Sequence, residues 1–172
     1  EVHAYGDSDW GGRRGSRKST SGGLVMLGKH CIKTWSTTQG AVALSSAEAE
    51  FYAMIEAVVR AKGVLNVMKE IGFVIAESIQ LFTDSSAAKS FVSRRGLGKM
   101  KHLEIRDLWL QREVGLGKVI VSKVDGPRNP ADLMTKFLKR WEIELRLKLM
   151  GIRVKWNDDL NIDDQINSLL CR

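Results

Sequence analysis

Ser45-Ser-Ala-Glu-Ala-Glu-Phe-Tyr-Ala-Met-Ile-Glu-Ala-Val-Val-Arg-Ala-Lys-Gly-Val-Leu-Asn-Val-Met-Lys-Glu-Ile-Gly72 reads as one long helix whose apolar stripe is interrupted by a single carboxylate, Glu50. Ser45 and Glu48 stand in capping-box spacing, with the hydroxyl taking the amide of the third helical residue and the glutamate reaching back to the cap amide. The helix is therefore predicted to start there and to close at Gly72. From Glu50 onward, Met54, Ala57, Val58, Ala61, Val64, Leu65, Met68 and Ile71 recur at three- and four-residue intervals, the period of one helix face. Glu50 lies on that face, near its start. At about 100° per residue, Glu48 points away from it and is satisfied by the cap. A carboxylate at the head of a buried stripe must be protonated, paired with a cation or bound to a metal. Taken alone, the simplest partner is a lysine or arginine.

Before this helix, Val2–Asp9 alternates around Ala4 and Gly6, with His3, Tyr5, Asp7 and Asp9 on the other face, as a first strand does. Gly11, Gly12 and Gly15 with Arg13, Arg14, Arg17 and Lys18 form a cationic loop. Gly22–Leu27 and Cys31–Ser36 follow as a hairpin turning at Gly28-Lys29. After the helix, Ser78–Thr83 is a strand ending in Asp84, and Ser85–Val92 is a helix that begins at once. Such strand-to-helix junctions are where open α/β sheets place ligands. Arg94, Arg95, Lys99 and Lys101 then supply four cations with no acid between them, a candidate phosphate-contact segment. His102–Glu113 is helical in pattern, and Lys118–Val124 alternates as a last strand. Asn129-Pro130-Ala131-Asp132 opens a helix with Asn as cap and Pro at the first position, and Trp141–Met150 is a further amphipathic helix. The order β-β-β-α-β-α-α-β-α predicts an α/β protein with a five-stranded mixed sheet flanked by helices.

The 172 residues, 44% of them hydrophobic, suffice for one domain with a normal core. Residues 1–150 are expected to form it, with 151–172 as a tail of unassigned role. Cys31 and Cys171 match no metal-ligand spacing and are too few for a disulfide framework, which suggests a reducing compartment. No apolar run has the length of a membrane span and no leader is recognisable, so the chain reads as a soluble fragment cut from something longer. A net charge of +7 points to an anionic partner, of which nucleic acid is the commonest.

Asp7, Glu50, Asp84 and Asp132 all fall where elements begin or end, so one edge could hold them together. Acids held close repel unless hard cations neutralise them, and oxygen-only ligation suits Mg²⁺ or Mn²⁺. Two such ions roughly 3.5 to 4 Å apart can activate a water and stabilise a leaving oxygen in phosphodiester cleavage.

The runs Tyr5–Trp10, Arg17–Gly22, Ala43–Tyr52, Thr83–Ala87, Lys101–Arg106 and Asn129–Lys136 closely resemble the ribonuclease H domain of copia-type LTR retrotransposon polyproteins. The match covers about residues 2 to 150 in order. The resemblance implies the ribonuclease H-like fold and metal-binding, catalytic acids at Asp7, Glu50, Asp84 and Asp132. It implies a pair of Mg²⁺ ions, with Mn²⁺ as substitute, and cleavage of the RNA strand of an RNA/DNA hybrid to 5′-phosphate and 3′-hydroxyl ends. A reverse transcriptase domain in the parent polyprotein and an intracellular site, a cytoplasmic particle or the nucleus, also follow. Two departures stand out: Val124–Pro130 lacks the histidine many cellular ribonucleases H carry there, and Asp107-Leu108 replaces the family's usual Tyr-His.

Arg94, Arg95, Lys99, Lys101, His102 and Arg106 are the candidate substrate contacts. Asp9 is a reserve ligand, first of all a turn acid. Arg17–Gly22 is first of all a strand-entry turn, and Trp10, beside the site, is an aromatic that could meet nucleic acid. A DNA or junction nuclease on the same fold would use similar acids. A hybrid-binding module without catalysis would have lost one, and none is missing.

Overall fold

The protein's structure, a computed structural model, describes residues 1–96 and 108–154. Its centre is β1 (Val2–Asp9), third in a five-stranded sheet of order β3-β2-β1-β4-β5. β2 (Thr20–Leu27) pairs antiparallel with β1, and β3 (His30–Thr38) antiparallel with β2. β4 (Ile79–Thr83) runs parallel to β1, and β5 (Val119–Lys123) parallel to β4. Adjacent parallel strands end at the same edge, so β1 and β4 deliver Asp7 and the following Asp84 side by side.

One face of the sheet is covered by α1 (Ser46–Glu70), α2 (Ser86–Val92) and α3 (Trp109–Gly115). Phe51, Met54, Ala57, Val58, Phe91 and Leu110 pack there against Val2, Ala4, Val25 and Leu81. Gly6 lets α1 lie close on β1, because a Cβ at that position would stand 3.1 Å from the Ala53 carbonyl oxygen. The other face carries α4 (Arg140–Leu149) and a 3-10 turn, Pro130–Met134, whose Ala131 packs with Leu24, Met26 and Met150. Covered on both sides, β2 is buried from Ser21 to Met26, which explains its unbroken apolar run.

Two expectations are corrected. The apolar stripe of α1 ends early: Leu65 is buried, Met68 half-buried and Ile71 62% exposed. A 25-residue helix is about 38 Å long and an eight-residue strand about 26 Å, so the last turns overshoot the sheet. Asp7, placed by alternation on the face of β1 opposite Ala4 and Gly6, is buried there under the 3-10 turn. The helix expected from Asn129 is that 3-10 turn; Asn129 does cap it, accepting from the Ala131 amide at 3.2 Å. Of the helix expected over His102–Glu113, the described part is α3; residues 102–107 lie outside the described residues. No helix among the described residues is long and apolar enough to cross a membrane.

Candidate active site

Three carboxylates converge from three elements. Asp7 near the end of β1, Asp84 just beyond β4 and Asp132 in the 3-10 turn each offer an oxygen, all within 4.8 Å of one another. Glu50, outside that group of three, approaches from the second turn of α1, near enough for the Asp7 and Asp84 charges to act on it. Its Oε1 accepts from the Ser8 amide at 3.2 Å and the Ser8 hydroxyl at 3.0 Å, which fixes the side chain against the end of β1. Its Oε2 is buried and has no hydrogen-bond donor among the described residues. Burial first, then the charges of Asp7 and Asp84, push the Glu50 carboxyl up to about 8. Burial also pushes Asp7 up to about 6; the Thr135 hydroxyl and Lys136 oppose the rise, and the Asp132 charge adds to it.

Sequence reasoning missed the cations that hold these acids. The Lys136 ammonium donates to Asp132 Oδ1 at 2.7 Å and Asp7 Oδ1 at 3.1 Å, bridging the two. Burial works against its charge, but the hydrogen bond it donates to Asp132 and the charges of both acids raise its pKa. Arg146 is 3% exposed and donates to Asp132 Oδ2 at 2.5 Å. Thr135 donates its hydroxyl to Asp7 Oδ2. Room for Thr135 comes from Gly22, opposite Asp7 on β2, where a Cβ would stand 2.6 Å from the side chains of Met134 and Thr135. Lys136 was visible as the i+4 neighbour of Asp132; Arg146, on α4, had no local signal.

Glu48 corrects the capping argument. Ser45 Oγ does accept the Glu48 amide at 3.2 Å, but the Glu48 carboxylate takes the amide of Leu44 at 2.8 Å and the Tyr52 hydroxyl at 3.1 Å. It is buried, because the strand-to-helix connection folds over it, yet it faces away from the acid cluster as the helical angle requires. Asp9 accepts from the Thr20 amide and holds the β1–β2 turn. Trp10 stays 57% exposed with its Nε1 donating to the Ala43 carbonyl at 3.1 Å. Arg94 lies over the Phe91 ring at 4.8 Å and Arg95 is exposed, both at the opposite end of α2 from Asp84. Buried Gln111 pins this segment, accepting from Gly96 N at 2.9 Å and donating to the Phe91 and Gly96 carbonyls. Lys99, Lys101, His102 and Arg106 lie outside the described residues.

The set of oxygens fits a hard divalent cation: carboxylates only, one oxygen buried with no hydrogen-bond partner among the described residues, in a cluster where burial first and neighbouring acid charge second raise two of the pKa values.

A mixed five-stranded sheet in this order, with helices on its faces, is the ribonuclease H fold. Ribonuclease H1 of Halobacterium salinarum superposes with a TM-score of 0.52 at 21% identity, over 77% of this chain and 92% of that one. LC11 ribonuclease H1, solved in complex with an RNA/DNA hybrid, gives 0.51 at 14% identity over 78% and 93%. No family model matches the chain. Its homologues are retrovirus-related Pol polyproteins from plant copia-like transposons. That of transposon TNT 1-94 from Nicotiana tabacum is 31% identical over 153 residues, 88% of this chain and 11% of the polyprotein. That of transposon RE1 from Arabidopsis thaliana is 29% identical over 152 residues, 88% and 10%. The chain thus spans about a tenth of the length of the curated relatives it matches.

Proposed function

We propose that this chain is a ribonuclease H that hydrolyses the RNA strand of RNA/DNA hybrids with two Mg²⁺ ions, or Mn²⁺ in their place, leaving 5′-phosphate and 3′-hydroxyl ends. The observation that carries the reading is the meeting of Asp7, Asp84 and Asp132 with the donor-free Glu50 Oε2 at one edge of the sheet. Divalent ions held there would activate a water and stabilise the leaving oxygen. Asp7, Glu50, Asp84 and Asp132 would be the ligands. Loading would require Glu50, whose carboxyl burial pushes up to about 8, to give up its proton, so binding is coupled to proton release. Ser8 orients Glu50, Thr135 orients Asp7, and Lys136 neutralises the pair Asp7 and Asp132 until the ions arrive.

In this reading residues 1–150 are the nuclease domain, 151–172 a tail, and Arg94, Arg95, Lys99, Lys101, His102 and Arg106 line the path of the hybrid. The parent would be a retrotransposon polyprotein with a reverse transcriptase domain, acting inside the cell. Incubating the purified chain with labelled hybrid and Mg²⁺ tests it: the RNA strand is cut, plain duplex DNA is not, and EDTA stops the reaction. The 2′-hydroxyl is what separates the two substrates. Equal cutting of duplex DNA would instead make the protein a DNA or junction nuclease.

A further inference from the structure

We infer that Arg146 of α4 is the positioning residue of the last acid: it holds Asp132 by one oxygen so that the other faces Asp7 across the ion site. The inference rests on the reading of these acids as metal ligands. Four oxygens surround the buried guanidinium. Its Nε donates to the Asn129 carbonyl at 3.2 Å, one terminal nitrogen to the Glu142 carbonyl at 3.2 Å, and the other to the Gly126 carbonyl at 3.4 Å and Asp132 Oδ2 at 2.5 Å. Gly126 and Asn129 precede the 3-10 turn and Asp132 lies within it, so one planar fork sets the whole loop's angle to α4. A guanidinium keeps its charge at every pH a protein survives and its donors are fixed in a plane. Oδ2 is therefore committed.

Asp132 Oδ1 is held differently. Its partner is Lys136, whose side chain is 40% exposed and flexible, and which also touches Asp7 Oδ1. An incoming divalent ion can displace that ammonium into water; it cannot displace a buried arginine bonded to four carbonyl and carboxylate oxygens. Asp132 is thus left a single ligand oxygen, aimed at Asp7. Without Arg146 the carboxylate is free to rotate or to turn Oδ2 inward, and a ligand of a short turn has no helix or strand to correct it.

Partners of this kind are worth about 10- to 100-fold in metal affinity. The test titrates Mn²⁺ into the full chain without substrate, counting free hydrated ion by electron paramagnetic resonance, in Arg146→Gln, Arg146→Lys, Asp132→Asn and the double variant Arg146→Gln/Asp132→Asn. Arg146→Gln is expected to weaken the affected ion by about that factor, and Arg146→Lys to recover part of it. The double variant should bind no more weakly than Asp132→Asn alone. In cleavage assays the Mg²⁺ concentration for half-maximal rate should rise by the same factor, while KM for hybrid at saturating Mg²⁺ stays put. Wild-type Mn²⁺ affinity in a folded Arg146→Gln overturns the inference, as does a double variant that loses the full product of both factors. Should Arg146→Gln fail to fold, wild-type Mn²⁺ affinity in a folded Arg146→Met overturns it equally. A wild-type chain that binds Mn²⁺ as described but leaves hybrid uncut defeats the ribonuclease reading and leaves this one standing.

Discussion

Glu50 and Asp132 enter the same cluster from opposite faces of the sheet, and they are held in opposite ways. Glu50 rides on a 25-residue helix packed through Phe51, Met54 and Ala57; its own tether is Ser8, and one oxygen has no donor at all. Asp132 sits in a five-residue 3-10 turn that cannot hold a side chain by itself, and both its oxygens are bonded to cations. A long element can present an unpartnered carboxyl oxygen because its packing supplies the rigidity. A short one needs the charge pairs to supply it.

The largest expected effect breaks the comparison at its open end. Replacing Glu50 by Gln removes the anionic oxygen that awaits a cation and should abolish hybrid cleavage, as should Asp7→Asn and Asp84→Asn, with the fold retained by circular dichroism. Wild-type cleavage by Glu50→Gln would remove Glu50 from the ion site.

Next comes pH. Glu50 is raised from 4.5 to about 8 and Asp7 from 3.8 to about 6, so the folded, ion-free protein holds protons that the unfolded chain has released. The contribution of these two groups to stability is then fully present below about pH 4 and is lost as pH rises, through 6 for Asp7 and on to 8 for Glu50. Melting in EDTA from pH 5 to pH 8 should show the decline. Glu50→Gln, which cannot ionise, should lose most of it, and Mg²⁺ should offset it in the wild type alone. A flat wild-type profile would mean that the cluster is not strained by its own charge.

The same contrast explains what could be read in the chain beforehand. Glu50 was legible because everything that places it is local or periodic: the Ser45 cap, the three- and four-residue stripe, the helical angle. Asp7 was legible as an acid at a strand end, but its burial comes from Thr135 and Met134, more than 120 residues later, sitting over Gly22. The cap of the last acid was legible at Asn129, yet the turn closes after Met134, and the arginine that fixes Asp132 lies on the next helix with no spacing to announce it. Alternation says which side of a strand a residue takes; it does not say what later covers that side.

A smaller effect is expected at Lys136. Lys136→Met removes the ammonium shared by Asp7 and Asp132 and leaves those two carboxylates facing one another. Because that ammonium is partly solvated, the loss in EDTA should be on the order of 1 kcal/mol. With Mg²⁺ present the loss should shrink, since an ion at the same acids replaces the missing charge. Denaturant titrations of both proteins with and without Mg²⁺ check it; an equal loss in both conditions would make Lys136 a surface pair unconnected with ion binding.

The smallest effect belongs to Glu48, two residues before Glu50 and so on the other side of the helix. Glu48→Gln keeps one carbonyl acceptor, enough for either the Leu44 amide or the Tyr52 hydroxyl that the carboxylate now serves together. Losing one such bond at a partly buried site costs about 0.5 to 1 kcal/mol. Cleavage of saturating hybrid should be nearly unchanged, because the carboxylate ties the β3–α1 connection to the first turns of α1, on the other side of the helix from Glu50. Side by side with Glu50→Gln, the pair separates the two jobs of neighbouring glutamates: a modest fall in melting temperature with full activity for one, and no activity for the other. If Glu48→Gln lost cleavage as completely as Glu50→Gln, the connection it holds would have to be part of the site itself, with Trp10, bonded to Ala43 in that connection, as the first residue to replace next.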